Sequence, residues 1–505
     1  MTDLAGLVRL AAGHGADRPA FVLDTAAAGD PAGRLTWGQL DAAVDDCARA
    51  LQALGLQPGD RVGLVLGNTL DFPVCYFGVL RAGLVAVPAN TGFTVAELTH
   101  VLTDSGARAV LAGPAAAQVV TDLQDAAPAL EHVLVVGGPA GPGTFGEPVA
   151  GGPVDAPAGG EATAVVLYTS GTSGRPRGAM LSHRALLASL EQTARIAPPV
   201  VQAEDVVLLV LPLFHVFGLN SALGMVVRNA ATGVLVERFD PVETLQTIRR
   251  HQVTGLVGAP PMYVAWSMLP DVGDAFTSVR LCLSGAAPLP ATVLQRVLDV
   301  TGHHVFEGYG LTETAPTLTS TLMSEVAKPD SIGRPVPGIE LKLLDQAGAP
   351  VEEGDPGEIV VRGDNLFSGY WPDGVDRPGA DGWWATGDVA ITDADGDLHL
   401  VDRRRELVLV SGFNVYPREV EAVLATHPDV AEAAVIGIPH PYTGESVKAI
   451  VVARPGTRPT GADLIAHCAR SLARFKCPTA VELVPELPHS ATGKVSKGRL
   501  RELRP

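Results

Sequence analysis

The stretch Tyr168-Thr-Ser-Gly-Thr-Ser-Gly-Arg-Pro-Arg-Gly178 follows a short apolar run and precedes a helical pattern. The apolar run at 164–167 suits a buried strand that ends where the small polar residues begin. The glycines allow sharp bends and a close approach to a ligand, and the hydroxyls add hydrogen-bond donors. Such a loop can surround phosphate oxygens with N–H and O–H groups. A solvated turn is the alternative for the string alone, which lacks the Lys-containing spacing of a P-loop.

Composition indicates an acidic protein with more than one domain. The chain has 505 residues, of which 47% are apolar, and this length predicts two or more domains with buried cores. A net charge of −18 argues against nonspecific nucleic-acid binding, which requires a basic face. The five cysteines show neither a C-x-x-C pair nor zinc-site spacing. Reduced thiols, and therefore a cytoplasmic location, are expected.

No transmembrane segment is predicted. The most membrane-like run, 206–227, is interrupted by Pro212, His215 and Asn220, whereas a spanning helix needs about 20 predominantly apolar residues. We predict a strand, a loop and a helix in a buried core there. The first residues lack the basic region and the long apolar stretch of a signal peptide. Peripheral membrane contact and the oligomeric state are left open.

The order of secondary-structure patterns predicts an α/β multidomain fold. Strand patterns alternate with helical patterns through the first 136 residues, which favours parallel sheets with helices on their faces. Segments 339–345 and 357–363 alternate with period two, as antiparallel strands do. We therefore expect two parallel-type αβ subdomains and a β-barrel-like subdomain, followed by a small α+β domain at the C-terminal end.

Two further strings complete a family resemblance. They are Phe306-Glu-Gly-Tyr-Gly-Leu-Thr-Glu-Thr314 and Pro485-Glu-Leu-Pro-His-Ser-Ala-Thr-Gly-Lys-Val495. With the first string, and in this order, they make the chain resemble the adenylate-forming superfamily of acyl-CoA synthetases, firefly luciferase and peptide-synthetase adenylation domains. Val408-Leu-Val-Ser-Gly-Phe-Asn-Val-Tyr-Pro417 is similar to bacterial fatty acyl-CoA ligases in particular. One departure is Arg177, where the family usually carries Lys; the charge is kept, but the guanidinium is a planar fork.

The resemblance implies a site for ATP and Mg²⁺. Tyr309 would stack on adenine, Thr312 would donate to the α-phosphate, and Glu313 would offer a hard oxygen to Mg²⁺. Asp388 would bind the ribose hydroxyls, with Arg403 beside it. The other residues implied for ATP or AMP binding are Thr169, Ser170, Gly171, Thr172, Ser173, Gly174, Arg177, Gly285, Ala286, Ala287, Glu307, Gly308, Gly310 and Lys494.

A single histidine lies in the apolar string Leu211-Pro-Leu-Phe-His-Val-Phe-Gly218. Such a histidine is usually a packed core residue, but the resemblance implies that His215 stands between the nucleotide and the substrate carboxylate. Amino-acid adenylation domains carry an Asp here that pairs with the substrate ammonium. A neutral imidazole cannot replace that pair in a buried site, which argues against amino-acid substrates. The residues implied for the acyl pocket are His215, Val216, Gly218, Val257, Gly258, Gly285 and Gly310.

The C-terminal part of the chain carries the remaining implied roles. Lys494 would reach the substrate carboxylate and the α-phosphate and stabilise the charge that develops in the transition state. Arg405 would be the hinge between an N-terminal domain, 1–404, and a mobile domain, 405–505. The expected catalytic residues are Lys494, Glu313, Thr312 and His215. The residues implied for the CoA path are Ser411, Gly412 and Phe413.

The predicted reaction is ATP-dependent activation of a carboxylic acid to acyl-AMP, followed by transfer of the acyl group to CoA. The small apolar residues of the implied pocket favour a medium- or long-chain fatty acid. A short-chain, aryl or dicarboxylic acid stays open; a dicarboxylate would need a buried cation, for which Arg228 and Arg238 are the candidates. The alternatives to CoA transfer are a fatty acyl-AMP ligase or a carrier-protein loading enzyme. A non-catalytic nucleotide-binding protein is a further alternative.

Overall fold

The computed structural model divides the chain into two compact units. It describes residues 3–26, 32–121, 123, 127–137, 151–169, 176–324, 328–403, 406, 408–410, 413–440, 444–489 and 495–503. The first unit takes in the described residues up to 340 together with 362–383, and the second takes in 341–361 and 384–503. The predicted domain boundary between residues 404 and 405 falls outside the described residues and stays a prediction.

The first unit is built on two mixed sheets. Its strands, in chain order, are β1 (Pro19–Leu23), β2 (Arg34–Thr36), β3 (Arg61–Val65), β4 (Val85–Pro88), β5 (Ala109–Ala112), β6 (His132–Val135), β7 (Thr163–Thr169), β8 (Arg177–Ser182), β9 (Val206–Leu209), β10 (Thr232–Leu235), β11 (Gly255–Gly258), β12 (Leu281–Ser284), β13 (Val305–Gly310), β14 (Thr317–Ser320) and β15 (Arg334–Pro335). One sheet has the order β6-β5-β3-β4-β7-β8, and the other β15-β14-β13-β12-β11-β9-β10-β1-β2. Their central strands are parallel, and antiparallel pairs occur only toward the edges, at β7–β8, β1–β2, β13–β14 and β14–β15.

Helices connect these strands. They are α1 (Gly6–Gly15), α2 (Trp37–Ala53), α3 (Asp71–Arg81), α4 (Val95–Ser105), α5 (Ala117–Thr121), α6 (His183–Ala194), α7 (Met225–Arg228), α8 (Pro241–His251), α9 (Pro260–Ser267), α10 (Val272–Ala275) and α11 (Ala291–Thr301). Thr94 caps the start of α4 in a capping box, in which its side chain accepts the Glu97 N–H and the Glu97 side chain accepts the Thr94 N–H. Gly106 ends the helix in the left-handed region. Local sequence therefore fixes where this helix starts and stops.

The second unit contains two smaller sheets. Its elements are β16 (Glu340–Leu344), β17 (Gly357–Arg362), β18 (Trp384–Thr392), β19 (Leu398–Arg403), β20 (Val408–Val410), β21 (Phe413–Val415), α12 (Pro417–Ala425), β22 (Val430–His440), β23 (Gly444–Ala453), α13 (Gly461–Cys468), β24 (Ala480–Leu483) and α14 (Lys497–Leu503). The order β16-β17-β18-β19 forms an open, half-barrel-like sheet in which β17, β18 and β19 are antiparallel. The other sheet has the order β21-β20-β23-β22, with β24 parallel to β23.

The predicted fold class is confirmed, with one strand that the sequence analysis did not foresee. Between the loop after β7 and the helix α6, the chain first forms β8, which pairs antiparallel with β7. Gly178 lies inside this strand, and a Cβ there would lie 2.6 Å from the Val166 side chain. Gly178 therefore makes room for packing inside a sheet and does not supply a bend. Ser182 then caps α6 by accepting the Ala185 N–H.

The segment that most resembles a membrane span is folded into the core of the first unit. It forms β9, a π-helix at Phe217–Gly224 and α7, which agrees with the predicted strand, loop and helix. Short π-helical stretches often occur at functional sites. Over the described part of the chain, no helix has both the length and the apolar character needed to cross a bilayer. The five cysteines are free thiols and are buried.

Candidate active site

The hairpin β7–β8 holds the two described ends of the predicted phosphate loop. Thr169 ends β7 and is the register partner of Arg177 at the start of β8. The predicted binding residues between them, outside the described residues, are Ser170, Gly171, Thr172, Ser173 and Gly174. The Arg177 guanidinium carbon lies 3.6 Å from the centre of the Tyr370 ring, and Arg177 forms a 2.8 Å ion pair with Asp376. A planar guanidinium suits such stacking better than a lysine ammonium would.

Glu313, the predicted Mg²⁺ ligand, is held through its side chain and its backbone. The Tyr370 hydroxyl donates a 2.5 Å hydrogen bond to Glu313 Oε1, and the Phe367 N–H donates a 2.9 Å bond to the Glu313 carbonyl. The residue is 9% exposed, and its Oε2 accepts no hydrogen bond from any residue that the structure describes. Burial, followed by the charge of Glu313, raises the pKa of Tyr370, so the phenol remains a donor.

Two buried asparagines fix the turn at 312–315 that carries Glu313. Asn220 Nδ2 donates a 2.7 Å bond to the Ala315 carbonyl, and Asn365 Nδ2 donates a 2.7 Å bond to the Thr314 carbonyl. Ala315 closes the turn in the left-handed region with a φ of 59°. Neither asparagine could be assigned from the sequence, because a single Asn gives no sign of which distant carbonyl its side chain reaches.

Glycine is required at one of the two positions that flank Tyr309. A Cβ at Gly310 would overlap the carbonyl oxygen of Pro316, which is backbone and cannot rotate away. A Cβ at Gly308 would lie 3.5 Å from the Thr319 carbonyl oxygen, an ordinary contact. The ring between them is 9% exposed, so Tyr309 presents only a small part of its surface outside the fold.

Three segments that carry predicted site residues meet toward the carboxyl ends of the neighbouring strands β11, β12 and β13. Gly258, Ser284 and Glu307 are register partners across these strands. The Gly285 N–H donates a 3.3 Å bond to the Gly258 carbonyl, and Ala286 follows with a φ of 72°. The predicted adenine-side residues after β12 are Gly285, Ala286 and Ala287. They lie at the carboxyl edge of a parallel sheet, where α/β folds bind ligands.

Ala286→Gly is expected to raise the free energy of unfolding by about 0.5–1 kcal/mol. A non-glycine residue in the left-handed region costs about 1–2 kcal/mol, and glycine removes this cost. Glycine also raises the conformational entropy of the unfolded chain, which offsets part of the stabilisation. Denaturant unfolding of both proteins measures the difference. Ala287→Gly is the matched control, because Ala287 has no positive φ and should lose stability. A loss of equal size in both variants would contradict the strain at position 286.

Glu307 is a buried carboxyl group beneath this edge. It is 7% exposed, and its Oε1 accepts a 2.8 Å hydrogen bond from the Leu289 N–H. Burial raises the pKa of Glu307 to about 7, against an ordinary value of 4.5. The folded protein therefore holds this proton more tightly than the unfolded chain does. The stability contributed by Glu307 is fully present below about pH 4.5 and is lost as the pH rises through about 7.

Glu307→Gln should remove this part of the pH dependence. The amide keeps an oxygen for the Leu289 N–H but does not ionise, so the variant should gain about 3 kcal/mol over wild type between pH 4.5 and pH 8. Denaturant unfolding at several pH values measures the difference between the two proteins, which cancels the titration of all other groups. A difference that stays constant across this range would show that Glu307 titrates normally.

One buried side chain, Asn68, holds the segment before His215. Asn68 Nδ2 donates to the carbonyls of Leu209 and Leu211 at 3.1 and 2.9 Å, and its Oδ1 accepts the Leu213 N–H at 3.2 Å. Asn68 follows β3 of the six-stranded sheet, whereas the three peptide groups lie at the end of β9 of the nine-stranded sheet or just after it. This single amide therefore links the carboxyl edges of the two sheets.

His215 lies directly before the π-helix. The Phe217 N–H donates a 3.4 Å hydrogen bond to His215 Nδ1, which is therefore the acceptor nitrogen of the ring in this contact. A Cβ at Gly218 would overlap the Pro212 carbonyl oxygen, so this tight turn requires glycine. Val216 is 2% exposed. Gly218 therefore shapes the backbone of the predicted acyl pocket.

Two aromatic rings that the sequence analysis did not assign lie against the glycines of the predicted acyl pocket. A Cβ at Gly285 would lie 2.8 Å from the Phe217 ring, and a Cβ at Gly258 would lie 3.1 Å from the Tyr263 ring. The Tyr263 hydroxyl donates a 2.8 Å bond to the Leu283 carbonyl. The other predicted residue beside them, Val257, is 3% exposed. These side chains form an apolar wall. From the sequence alone, such aromatic residues cannot be distinguished from core residues.

The structure gives different positions to the two arginines considered for a dicarboxylate. Arg228 is paired through two nitrogens with the carboxylate of Glu191, at 2.9 and 2.7 Å. Arg238 is exposed and lines a cavity of about 230 Å³ together with Pro212 and Phe214. Arg238 is therefore the one of the two that lies beside the His215 segment.

The second unit carries the remaining predicted residues. Asp388 is 6% exposed in β18, its N–H donates a 3.1 Å bond to Thr386 Oγ1, and it is the register partner of Arg403 in β19. Only the backbone of Arg403 and Phe413 is described. The predicted residues that lie outside the described residues are Arg405, Ser411, Gly412 and Lys494.

Comparison with known proteins identifies the family. Residues 8–371 match the AMP-binding enzyme model, and residues 419–494 match the AMP-binding enzyme C-terminal domain. The chain belongs to the AMP-binding enzyme family. The predicted superfamily resemblance is confirmed.

Relatives of this AMP-binding enzyme carry several substrate names. The long-chain-fatty-acid–CoA ligase of Yersinia pestis is 36% identical over 486 residues, which cover 89% of this chain and 86% of that protein. The feruloyl-CoA synthase of an Amycolatopsis species is 38% identical over 475 residues, or 92% and 93% of the two chains. ATP-bound MatB from Rhodopseudomonas palustris superposes with a TM-score of 0.89 at 33% identity, covering 100% and 99%.

These relatives establish the reaction of this AMP-binding enzyme. It is an ATP-dependent, AMP-forming acid–CoA ligase, as predicted, and the alternative of a non-catalytic nucleotide-binding protein is set aside. Enzymes of this family use ATP and CoA. The names of the relatives differ in the acid, so the reaction is common to them while the substrate is not.

Proposed function

We propose that this ligase converts a medium- or long-chain fatty acid to its CoA thioester. An oxygen of the fatty carboxylate attacks the α-phosphorus of Mg·ATP, and acyl-AMP and pyrophosphate form. The CoA thiol then attacks the acyl carbon of this mixed anhydride, and AMP leaves with the bonding electrons. Phosphoryl chemistry of this kind depends mainly on positioning and electrostatics, so the residues that hold and orient the substrates carry the catalysis.

The uncharged wall beside His215 carries the choice of a fatty acid. Phe217 and Val257 are apolar, and the hydroxyl of Tyr263 is already bonded to a backbone carbonyl. An alkyl chain gains about 0.8 kcal/mol for each CH₂ that it buries on such a surface. A second carboxylate would lose its hydration there without gaining a counter-ion. The 36% identity to a long-chain-fatty-acid–CoA ligase supports the same choice.

Glu313 is proposed to hold Mg²⁺ together with the phosphate oxygens of ATP. Its Oε2 suits this role, because Mg²⁺ prefers carboxylate oxygens and is commonly bound by one or two of them plus substrate phosphates. Among the residues that the structure describes, no cluster of three His, Cys, Asp or Glu could hold a metal by itself. When bound, Mg²⁺ supplies neutralising charge to the departing pyrophosphate.

The remaining residues are proposed to bind and orient the substrates. Thr312 donates to the α-phosphate, the exposed edge of Tyr309 meets adenine, and Asp388 accepts the ribose hydroxyls. Lys494 neutralises charge between the carboxylate and the α-phosphate. After adenylation, rotation at Arg405 withdraws this ammonium. The residues proposed for the CoA path are Ser411, Gly412 and Phe413.

A dicarboxylic acid is the second candidate substrate. Arg238 lines the cavity beside Pro212 and Phe214, and it could pair with a distal carboxylate that reached this cavity. The relative MatB, at 33% identity, has the same fold but gives no substrate in its name. Arg238→Met separates the two candidates, because it should abolish turnover of a dicarboxylate and leave turnover of a fatty acid within about twofold.

Pyrophosphate release tests the proposed function. The acids are acetate, octanoate, palmitate, benzoate and malonate, each with and without CoA. Multiple turnovers that require CoA and peak on octanoate or palmitate would support a fatty acyl-CoA ligase. A peak on malonate or benzoate would replace the substrate. Release that stops near one equivalent despite CoA would point to a fatty acyl-AMP ligase or to a carrier-protein acceptor.

A further inference from the structure

The segment 367–371 is hydrogen-bonded to the two proposed phosphate-binding elements of the first unit, which are the hairpin β7–β8 and the turn at 312–315. Three backbone hydrogen bonds of 2.7, 2.9 and 3.0 Å join it to Gly178 and Met180 of β8, the strand that begins with Arg177. A fourth, from the Phe367 N–H, reaches the carbonyl of Glu313 at 2.9 Å. No motif recognised in the sequence falls on this segment.

Tyr370 is the residue of this segment that contacts both proposed binding side chains. Its hydroxyl donates to Glu313 Oε1 at 2.5 Å, and the Arg177 guanidinium lies over its ring at 3.6 Å. The Phe367 ring packs against it edge-on, with the ring centres 5.1 Å apart. A change of the Tyr370 χ1 rotamer would lose the hydrogen bond and the stacking together.

We propose that Tyr370 is a positioning residue that orients the Glu313 carboxylate toward Mg²⁺ and couples it to the phosphate-loop cation Arg177. This inference rests on the proposed role of Glu313. The phenol occupies Oε1 and so fixes the rotation of the carboxylate, which leaves Oε2 as the oxygen available for the metal. A carboxylate that is already oriented loses less rotational freedom when it binds a ligand.

Tyr370→Phe tests this role, because it removes the hydroxyl and keeps the ring, the stacking on Arg177 and the contact with Phe367. Calorimetric titration of ATP, without acid or CoA, is performed at several Mg²⁺ concentrations and in EDTA. The Mg²⁺ concentration that gives half-maximal tightening of ATP binding should rise about tenfold or more, the scale for losing a hydrogen bond to a charged group. The affinity for ATP in EDTA should not change.

Tyr168→Phe is the matched control. The Tyr168 hydroxyl also donates to a carboxylate, that of Asp104, at 2.6 Å, and Tyr168 lies on the hairpin β7–β8 that carries Arg177. It does not contact Glu313, so its removal should leave the Mg²⁺ dependence of ATP binding unchanged. An equal shift in both variants would mean that the effect comes from a loosened hairpin, and this would overturn the proposal.

A double-mutant cycle separates the proposal from the function on which it rests. If Tyr370 acts through Glu313, Tyr370→Phe should have no further effect on the Mg²⁺ dependence in a Glu313→Gln background. If Glu313→Gln alone leaves that dependence unchanged, the assignment of Glu313 as the metal ligand fails, and the inference about Tyr370 fails with it. If Glu313→Gln changes the dependence but Tyr370→Phe does not, only the positioning role is wrong.

Discussion

Lys494→Ala is expected to slow acyl-AMP formation about a hundredfold or more, and to leave thioester formation from supplied acyl-AMP near the wild-type rate. The first step develops negative charge between the carboxylate and the α-phosphate, and loss of one well-placed donor costs this much in a transition state. In the second step the same ammonium is proposed to be withdrawn. The two half-reactions should therefore separate in a single variant.

Pyrophosphate release and thioester formation measure the two steps independently. Lys476→Ala is the control, because Lys476 belongs to the same unit and forms a 2.7 Å ion pair with Glu419, with no proposed role at the site. It should change either rate by less than about twofold, since the ion pair is partly exposed, contributes little and has no proposed role in either step. Equal loss of both half-reactions in Lys494→Ala would refute the proposed rotation of the C-terminal domain.

Gly310→Ala is expected to lower the free energy of unfolding by about 3 kcal/mol or more. The new Cβ would overlap the Pro316 carbonyl oxygen, and this oxygen is itself fixed because it accepts the Leu311 N–H at 3.2 Å. The strand or the turn must then move, and an overpacked site typically loses 1–3 kcal/mol, sometimes more. Because the same turn carries Glu313, ATP binding should weaken as well.

Gly308→Ala provides the comparison for this prediction. It lies two residues earlier in β13, and its Cβ would make only an ordinary 3.5 Å contact. Denaturant unfolding of the two variants should therefore differ by about 2 kcal/mol or more, although the substitution is chemically identical. Similar unfolding midpoints would mean that the backbone at Gly310 can relax, and that steric exclusion does not explain its glycine.

Sequence alone predicts the parts of this fold that depend on local signals. The helix at Val95–Ser105, one of the helical patterns predicted within the first 136 residues, follows a Thr with Glu three residues later and ends before a Gly, so local signals mark both of its ends. The strand β8 was not foreseen, because its pairing with β7 depends on contacts that neither segment reveals by its own periodicity. The same limit explains why Gly178 was read as part of a bend.

The candidate site likewise contains residues that could be predicted from the sequence and residues that could not. Glu313 and Gly310 could be chosen from the sequence because they stand in a short string that resembles a nucleotide-binding motif of the superfamily. Tyr370 and Asn68 could not, because each acts through a partner more than 50 residues away. Such pairings arise from the folded topology, and a single sequence carries no periodic signal for them.

The amide of Asn68 has a consequence for how this scaffold can change its substrate. It recognises only main-chain groups, those of Leu209, Leu211 and Leu213, and no side chain of that segment. Residues on the segment can therefore be exchanged without loss of the three hydrogen bonds, provided that the backbone path is kept. A designer could graft a new wall onto residues 211–217, with His215 kept, while leaving Asn68 in place, and divergence toward other acids could follow the same route.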